Sequence, residues 1–183
     1  MAEFRDVDWS EHYRFVGTFV VEFEKIPTKL RYFYSCILQL QGLKVWELGA
    51  NVLSIVTISP ESLAIAYGSA LKLLTDDKNV KGLVDDICKR TKTLAERRNE
   101  IVHGEWRIGP EMVIVGTDKL PDRFGIKRKP TKDGQRVTDL PTINELSGLV
   151  DEARAIAQMI ERAFIALVMI LEPPDAASSQ AES

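Results

Sequence analysis

Between residues 142 and 171, apolar side chains recur every three or four positions without a break. This spacing places them along one face of an α-helix, which Asp139 or Thr142 can cap and which has Pro141 near its start. It is the strongest helix that the sequence predicts. Its apolar positions are Leu146, Leu149, Val150, Ala153, Ile156, Ala157, Ile160, Phe164, Leu167, Val168 and Leu171.

The same spacing occurs near the beginning of the chain, over residues 9–40. Pro27 lies inside this run, so it either kinks one long helix or opens a second helix at its first turn, where a missing N–H costs least. Gly42 separates the run from residues 43–56.

Two further helices are predicted before residue 104. Ser59, followed by proline, is typical of an N-cap, and the helix that it begins extends through about Leu74. The next periodic segment covers residues 80–102, and Gly104 suits its C-terminal end. Arg98 lies on the periodic stripe of this segment, so it is expected to face inward or toward a partner.

The pattern changes over residues 105–137. Trp106, Ile108 and residues 112–115, separated by Gly109-Pro110, predict a short β-hairpin. The fold is therefore predicted to be mainly α, an up-and-down helical bundle with a short β-hairpin or loop insertion before the last long helix.

One helical domain is predicted over residues 1–172, with the insertion at about 105–137. Residues 173–183 begin with Pro173-Pro174 and continue with small polar residues. This composition is typical of a disordered tail.

The formal net charge of −3 argues against a general nucleic-acid-binding protein, since such domains are usually basic enough to neutralise several phosphates. Residues 119–136 are the exception, with seven Lys or Arg against two Asp, and they are predicted to form a basic loop. Lys127, Arg128 and Lys129 in this loop are candidate RNA contacts. The alternative is a solvated loop with no ligand.

Cys36 and Cys88 lie in helical patterns without neighbours at metal-ligand spacing, which predicts buried free thiols. The sequence near Met1 lacks the features of a secretory signal. The most apolar stretch, residues 163–171, is about half as long as a membrane span. We therefore expect a cytoplasmic protein that does not associate with membranes and needs no metal or other cofactor.

A six-residue segment, from Arg98 through Asn99 to His103, brings an arginine, an amide and a histidine together at a helix end. Asn99 and His103 are four residues apart, so the amide can hold one imidazole nitrogen. Arg98 lies about 140° around the helix from His103. A single helix is thus predicted to direct these two side chains apart, and we expect a site shared by two antiparallel copies of the helix.

These residue types suit the attack of a ribose 2′-hydroxyl on the neighbouring phosphate. The histidine would move the proton, and the forked arginine donors would stabilise the phosphorane. No metal is required. Arg97, Trp106 and Arg107 are further candidate substrate contacts, because an indole can stack on an RNA base.

The segment resembles the R-x4-6-H motif of the HEPN superfamily, in which the residue after the arginine is commonly Asn, Asp or His. The resemblance implies catalytic roles for Arg98, Asn99 and His103 in a metal-independent endoribonuclease. It also implies a bundle that dimerises through its motif helices, with RNA as substrate and an antitoxin or other regulatory protein as partner, as in toxin–antitoxin and phage-defence systems. Toxin members paired with nucleotidyltransferase antitoxins carry a tyrosine two residues beyond the histidine, and this chain has Glu105 there.

Other interpretations remain open. His103 could stabilise the negative end of the helix dipole, Arg97 and its charged neighbours could form a solvated turn, and Trp106 could anchor the predicted hairpin. The alternatives to a ribonuclease are a catalytically inactive HEPN-like module that binds RNA, a nucleotide or a protein, and an assembly domain with Arg98 in its dimer interface.

Overall fold

A computed structural model of the chain describes residues 10–42, 58–103 and 141–171, together with the backbone of residues 125–131 and 134–138. Within these ranges the protein is mainly α-helical, which confirms the mainly α part of the predicted fold class. The elements are helices α1 (Ser10–Leu40), α2 (Pro60–Leu74), α3 (Lys78–Val102) and α4 (Ile143–Leu171), and strands β1 (Gly125–Thr131) and β2 (Gly134–Thr138).

Helix α1 passes through Pro27 as one helix, so the alternative with a second helix beginning there is wrong. Proline removes one backbone hydrogen bond. The helix nevertheless continues, because Phe23, Ile26 and Leu30 around the proline are fully or almost fully buried in the core. Gly42 follows the end of α1 with a φ of 80°, a left-handed conformation that glycine adopts without strain.

The starts of α2 and α3 are determined by capping side chains. Ser59 Oγ accepts a hydrogen bond of 3.1 Å from the N–H of Ser62, which confirms the predicted N-cap. Asp77 Oδ1 accepts hydrogen bonds of 2.7 and 3.1 Å from the N–H groups two and three residues further on. Helix α3 consequently begins at Lys78, slightly before the predicted start.

Of the two predicted caps for α4, Thr142 is the one in place. Thr142 Oγ1 accepts from the N–H of Glu145 at 3.2 Å, and the Glu145 carboxylate accepts from the N–H of Thr142 at 2.7 Å. The second bond lowers the pKa of Glu145 below its ordinary value. Although α4 contains the most apolar stretch of the chain, none of the described helices is long and apolar enough to span a membrane.

Helices α1 and α4 pack side by side and run in the same direction. Glu22 pairs with Arg154 at 3.4 Å and Lys29 pairs with Glu161 at 2.6 Å, so contacting residues keep a constant offset of 132 positions. The rings of Phe33 and Phe164 meet one turn further along, with centroids 4.8 Å apart.

The last three helices alternate in direction, as in an up-and-down arrangement. Their pairing is shown by Glu61–Lys92 and Lys72–Asp85 between α2 and α3, and by Arg90–Glu152 and Arg97–Glu145 between α3 and α4. Helix α3 is therefore packed between α2 and α4, and its C-terminal end lies close to the N-terminal end of α4.

All four helices contribute to one hydrophobic core. Tyr67 is fully buried at its centre, and its hydroxyl donates a 2.7 Å hydrogen bond to the carbonyl oxygen of Ile160. Burial raises the pKa of the Tyr67 phenol well above its ordinary value. Cys36 and Cys88 are free thiols and only half-buried, less buried than predicted.

Strands β1 and β2 pair antiparallel, with Thr131 opposite Gly134. They lie in the segment predicted to be a basic loop, so part of that loop is extended instead. The hairpin predicted at residues 106–115 lies outside the described residues.

Two glycines on facing helices should respond to alanine in opposite directions. A Cβ on Gly68 would lie 2.6 Å from Cγ1 of Val84, a stiff and buried side chain, so Gly68→Ala should lower the free energy of unfolding by about 1 kcal/mol or more. A Cβ on Gly82 would meet nothing within 4 Å, so Gly82→Ala should raise it by about 0.5–1 kcal/mol. Urea denaturation followed by circular dichroism measures both. Equal effects of the two substitutions would contradict the packing of α2 on α3.

The contact between α3 and α4 should depend on pH. Arg90 donates two hydrogen bonds of 2.7 and 2.6 Å to Glu152, and these lower the pKa of Glu152 below its ordinary value of 4.5. A carboxylate with a lowered pKa stabilises the fold above that ordinary value and loses the effect as the pH falls through its folded-state pKa.

Glu152→Gln should therefore destabilise the protein by up to about 1 kcal/mol at pH 7, the upper range for a partly exposed pair. The difference from wild type should disappear as the pH falls below 4.5. Asp151→Asn is the control, because Asp151 is 73% exposed and lies 3.6 Å from its partner. Denaturant titrations at several pH values give the result, and a difference that persists in acid would contradict the ion-pair origin.

Candidate functional site

The motif residues lie at the C-terminal end of α3. Leu94 and Ile101 are almost fully buried one turn before and one turn after Arg98, so Arg98 lies at the edge of the buried stripe with its side chain 23% exposed. Asn99 and His103 are exposed. The motif thus begins beside the core and ends in solvent.

His103 is the C-cap residue of α3. Its φ of −102° and ψ of 5° depart from helical values, and its N–H donates a 3.1 Å hydrogen bond to the carbonyl oxygen of Asn99. The imidazole is therefore attached to the first residue that leaves the helix.

Arg98 and His103 approach each other within one chain. Nη1 of Arg98 lies 3.4 Å from Nε2 of His103. The prediction that a single helix directs these side chains apart was wrong, because the 100° rotation per residue holds only within the helix and the arginine side chain is long. A second chain is not needed to bring the two groups together.

The predicted pairing of the Asn99 amide with the His103 ring is also wrong. Asn99 Oδ1 instead accepts a 3.3 Å hydrogen bond from Nη1 of Arg98, and among the described residues the link from Asn99 to His103 runs through the backbone. The arginine is consequently the side chain that contacts both other motif residues.

The guanidinium of Arg98 is surrounded by groups from α1. Its Cζ lies 5.8 Å from the ring centroid of Phe23, within the range of cation–π attraction, and Nη2 lies 3.4 Å from Oε1 of Glu24. The polar distances of 3.3–3.4 Å exceed the usual N–H···O distance of about 2.9 Å. Nε of Arg98 is buried and has no hydrogen-bond acceptor within the described residues. Arg98 is thus oriented by its surroundings but loosely bonded.

A groove of about 430 Å³ opens beside Arg98, between α1 and α3 at the start of α2. We call it the α1–α3 groove. Its polar lining consists of Glu24, Arg31, Arg98 and Asn99, and the remaining walls are mostly apolar, including Pro27. Arg31 and Glu24 were not among the predicted site residues. They lie seven positions apart, which is two turns of α1 and places them on one face of the helix. This spacing was the only sequence signal that would have connected them.

Arg97 does not join this groove. It donates a 3.0 Å hydrogen bond to Glu100 and lines a separate groove of about 550 Å³ with Glu152. Adjacent helical residues point about 100° apart, so Arg97 turns toward α4 when Arg98 turns toward α1. Arg97 and Arg98 therefore line different grooves, and the predicted contact of Arg97 with substrate stays a prediction.

The remaining predicted substrate contacts are not located near the motif by the described structure. Trp106 and Arg107 lie outside the described residues. Lys127, Arg128 and Lys129 lie on β1, whose backbone alone is described. Within the described ranges, no three His, Cys, Asp or Glu side chains are grouped as metal ligands would be.

The chemical capability of the site follows from Arg98 and His103. An imidazole has one ring nitrogen that can accept a proton and one that can donate it. A guanidinium can bind two oxygens of a phosphate through parallel N–H donors. Together they can bind a phosphate group and move a proton to or from an oxygen attached to it.

Comparison of the chain with protein-family models, with curated proteins and with solved structures found no match.

Truncation of the Arg98 and His103 side chains should affect stability differently. Arg98→Ala removes a half-buried side chain that packs on Phe23, so it should lower the free energy of unfolding by about 1 kcal/mol. His103→Ala removes an exposed ring and should change it by less than about 0.5 kcal/mol. Thermal and urea denaturation would measure both, and a large loss in His103→Ala would show that the ring supports the fold.

Proposed function

We propose that this protein is a metal-independent endoribonuclease of the HEPN type. The observation that carries the proposal is the 3.4 Å separation of Arg98 Nη1 and His103 Nε2 at an exposed helix end. The pair supplies a phosphate-binding fork and a proton-transfer group at adjacent positions, which are the two functions that RNA cleavage without a metal requires.

The proposed reaction is an internal transesterification. The ribose 2′-oxygen attacks the neighbouring phosphorus while its proton is removed, and the bond from phosphorus to the 5′-oxygen of the next nucleotide breaks as that oxygen gains a proton. Arg98 stabilises the extra negative charge on the phosphorane. The products are a 2′,3′-cyclic phosphate and a 5′-hydroxyl.

Two proton transfers are needed, one at the attacking oxygen and one at the leaving oxygen. One imidazole cannot accept and donate at the same moment, so we propose that His103 of a second copy supplies the other group, in a site shared across a homodimer. Each protomer would then contribute a complete pair of Arg98 and His103. Since free ribonuclease activity would damage cellular RNA, an antitoxin or other regulatory protein in the cytoplasm is part of this proposal.

A catalytically inactive module that binds RNA, a nucleotide or a protein is the second candidate. The observation that favours it is Glu24, whose carboxylate lies 3.4 Å from Nη2 of Arg98. This negative charge lowers the attraction of Arg98 for a phosphate. Such a module would bind through the α1–α3 groove without turnover.

The test is incubation of the purified protein with end-labelled total RNA in EDTA. Wild type should cleave, leaving 2′,3′-cyclic phosphate ends. His103→Ala should reduce the rate by at least about 100-fold, because general acid–base catalysis typically contributes 10²–10⁴-fold. Arg98→Ala should also lose activity, and Arg14→Ala is the matched control because the Arg14 side chain is 69% exposed.

Cleavage by wild type that His103→Ala retains would show a contaminating nuclease and contradict the proposal. If wild type binds RNA and leaves it intact, the binding module becomes the better description. Circular dichroism of every variant shows that the losses do not arise from unfolding.

A further inference from the structure

The α1–α3 groove contains a second arginine that the proposed reaction does not use. Nε of Arg31 is buried, and it has no hydrogen-bond acceptor among the described residues. A buried donor without an acceptor is costly and uncommon in folded proteins. Nε of Arg98, on the opposite wall, is also buried and also has no acceptor among the described residues.

The side chains that line the groove also carry more positive than negative charge. Among the lining residues that the structure describes, Arg31 and Arg98 carry two positive charges and Glu24 carries one negative charge. The groove is thus cationic in a chain whose formal net charge is −3. An anion bound between the two guanidinium groups would balance this charge.

The position of the groove relative to His103 indicates which part of an RNA substrate would supply this anion. The lining includes Arg98 and Asn99 but excludes His103, and it extends along α1 to Arg31. A phosphate bound between Arg98 and His103 would lie at one end of the groove. The space beyond it would then receive the neighbouring nucleotide rather than the bond that is cleaved.

We propose that the α1–α3 groove is a nucleotide subsite for single-stranded RNA and that Arg31 binds the phosphate adjacent to the scissile one. The inference rests on the proposed ribonuclease, since it takes the scissile phosphate to lie at Arg98. A volume of about 430 Å³ falls in the range of small-molecule sites and accommodates one nucleotide. Unstacked bases are available only in single strands and loops.

The apolar walls suit the sugar and base of that nucleotide. Pro27, Ile58 and Pro60 present surfaces without hydrogen-bonding side chains. Apolar contact with a base or ribose does not depend on sequence, so we expect the subsite to bind RNA with little base preference.

The test uses a fluorescein-labelled 2′-O-methyl RNA oligonucleotide, which cannot be cleaved because it has no free 2′-hydroxyl. Arg31→Gln should weaken its binding, measured by fluorescence anisotropy, by about tenfold or more, the contribution of one charge-assisted hydrogen bond. The slope of log affinity against log salt concentration should fall by about 0.7, the value for one phosphate contact on a single strand. Arg14→Gln, on the same helix but exposed, should change neither quantity.

Arg31→Lys separates a binding role from a structural one. Lysine keeps the aliphatic stem and the charge but lacks the forked donors of the guanidinium. The affinity of Arg31→Lys for the oligonucleotide should therefore lie between those of wild type and Arg31→Gln. In cleavage of unmodified RNA, Arg31→Gln should raise KM about tenfold and leave kcat nearly unchanged, because the contact is made before and during the reaction alike.

The outcomes distinguish this inference from the proposed function. If binding depends on Arg31 but wild type cleaves no RNA, the subsite is supported and the proposed ribonuclease activity is contradicted. If wild type cleaves RNA and Arg31→Gln leaves both the oligonucleotide affinity and KM unchanged, the subsite is contradicted and the ribonuclease activity is not. A wild type that neither binds nor cleaves would overturn both.

Discussion

The burial of one apolar stripe determines how α3 is rotated in the bundle, and the candidate site depends on that rotation. Val84, Ile87, Leu94 and Ile101 are almost fully buried. Arg98 lies four residues after Leu94 and three before Ile101, so it cannot turn fully into solvent while these neighbours stay in the core. The packing that stabilises the fold therefore also holds the guanidinium against α1.

The two faces next to this stripe differ in their electrostatics. Toward α4, Arg90 is bound by Glu152 through two short hydrogen bonds, which use its donors within the protein. Toward α1, the polar contact of Arg98 with Glu24 is long, 3.4 Å, and Nε of Arg31 has no acceptor among the described residues. Arg90 thus links α3 to α4, whereas the Nε donors of Arg98 and Arg31 have no acceptor in the part of the chain that the structure describes.

The sequence predicted those features that depend on local chemistry. Ser59 and Thr142 act as caps as predicted, because a capping hydrogen bond joins residues only three positions apart. It did not predict the contact of Arg98 with His103, because that contact depends on where the helix ends and how a long side chain bends. Arg31 is 67 residues from Arg98 in the chain, and their shared groove depends on the packing of α1 on α3.

The parallel packing of α1 and α4 has a mechanical consequence. Ser10 begins α1 and Leu171 ends α4, so these residues lie at opposite ends of the helix pair, about 40 Å apart for helices of this length. A force that pulls them away from each other would slide one helix along the other. The links between the two helices would bear that load together, because Glu22–Arg154, Lys29–Glu161 and Phe33–Phe164 would all have to break for the helices to move by one turn. The protein should consequently resist stretching along this direction more than stretching that separates α2 from α3 at one end.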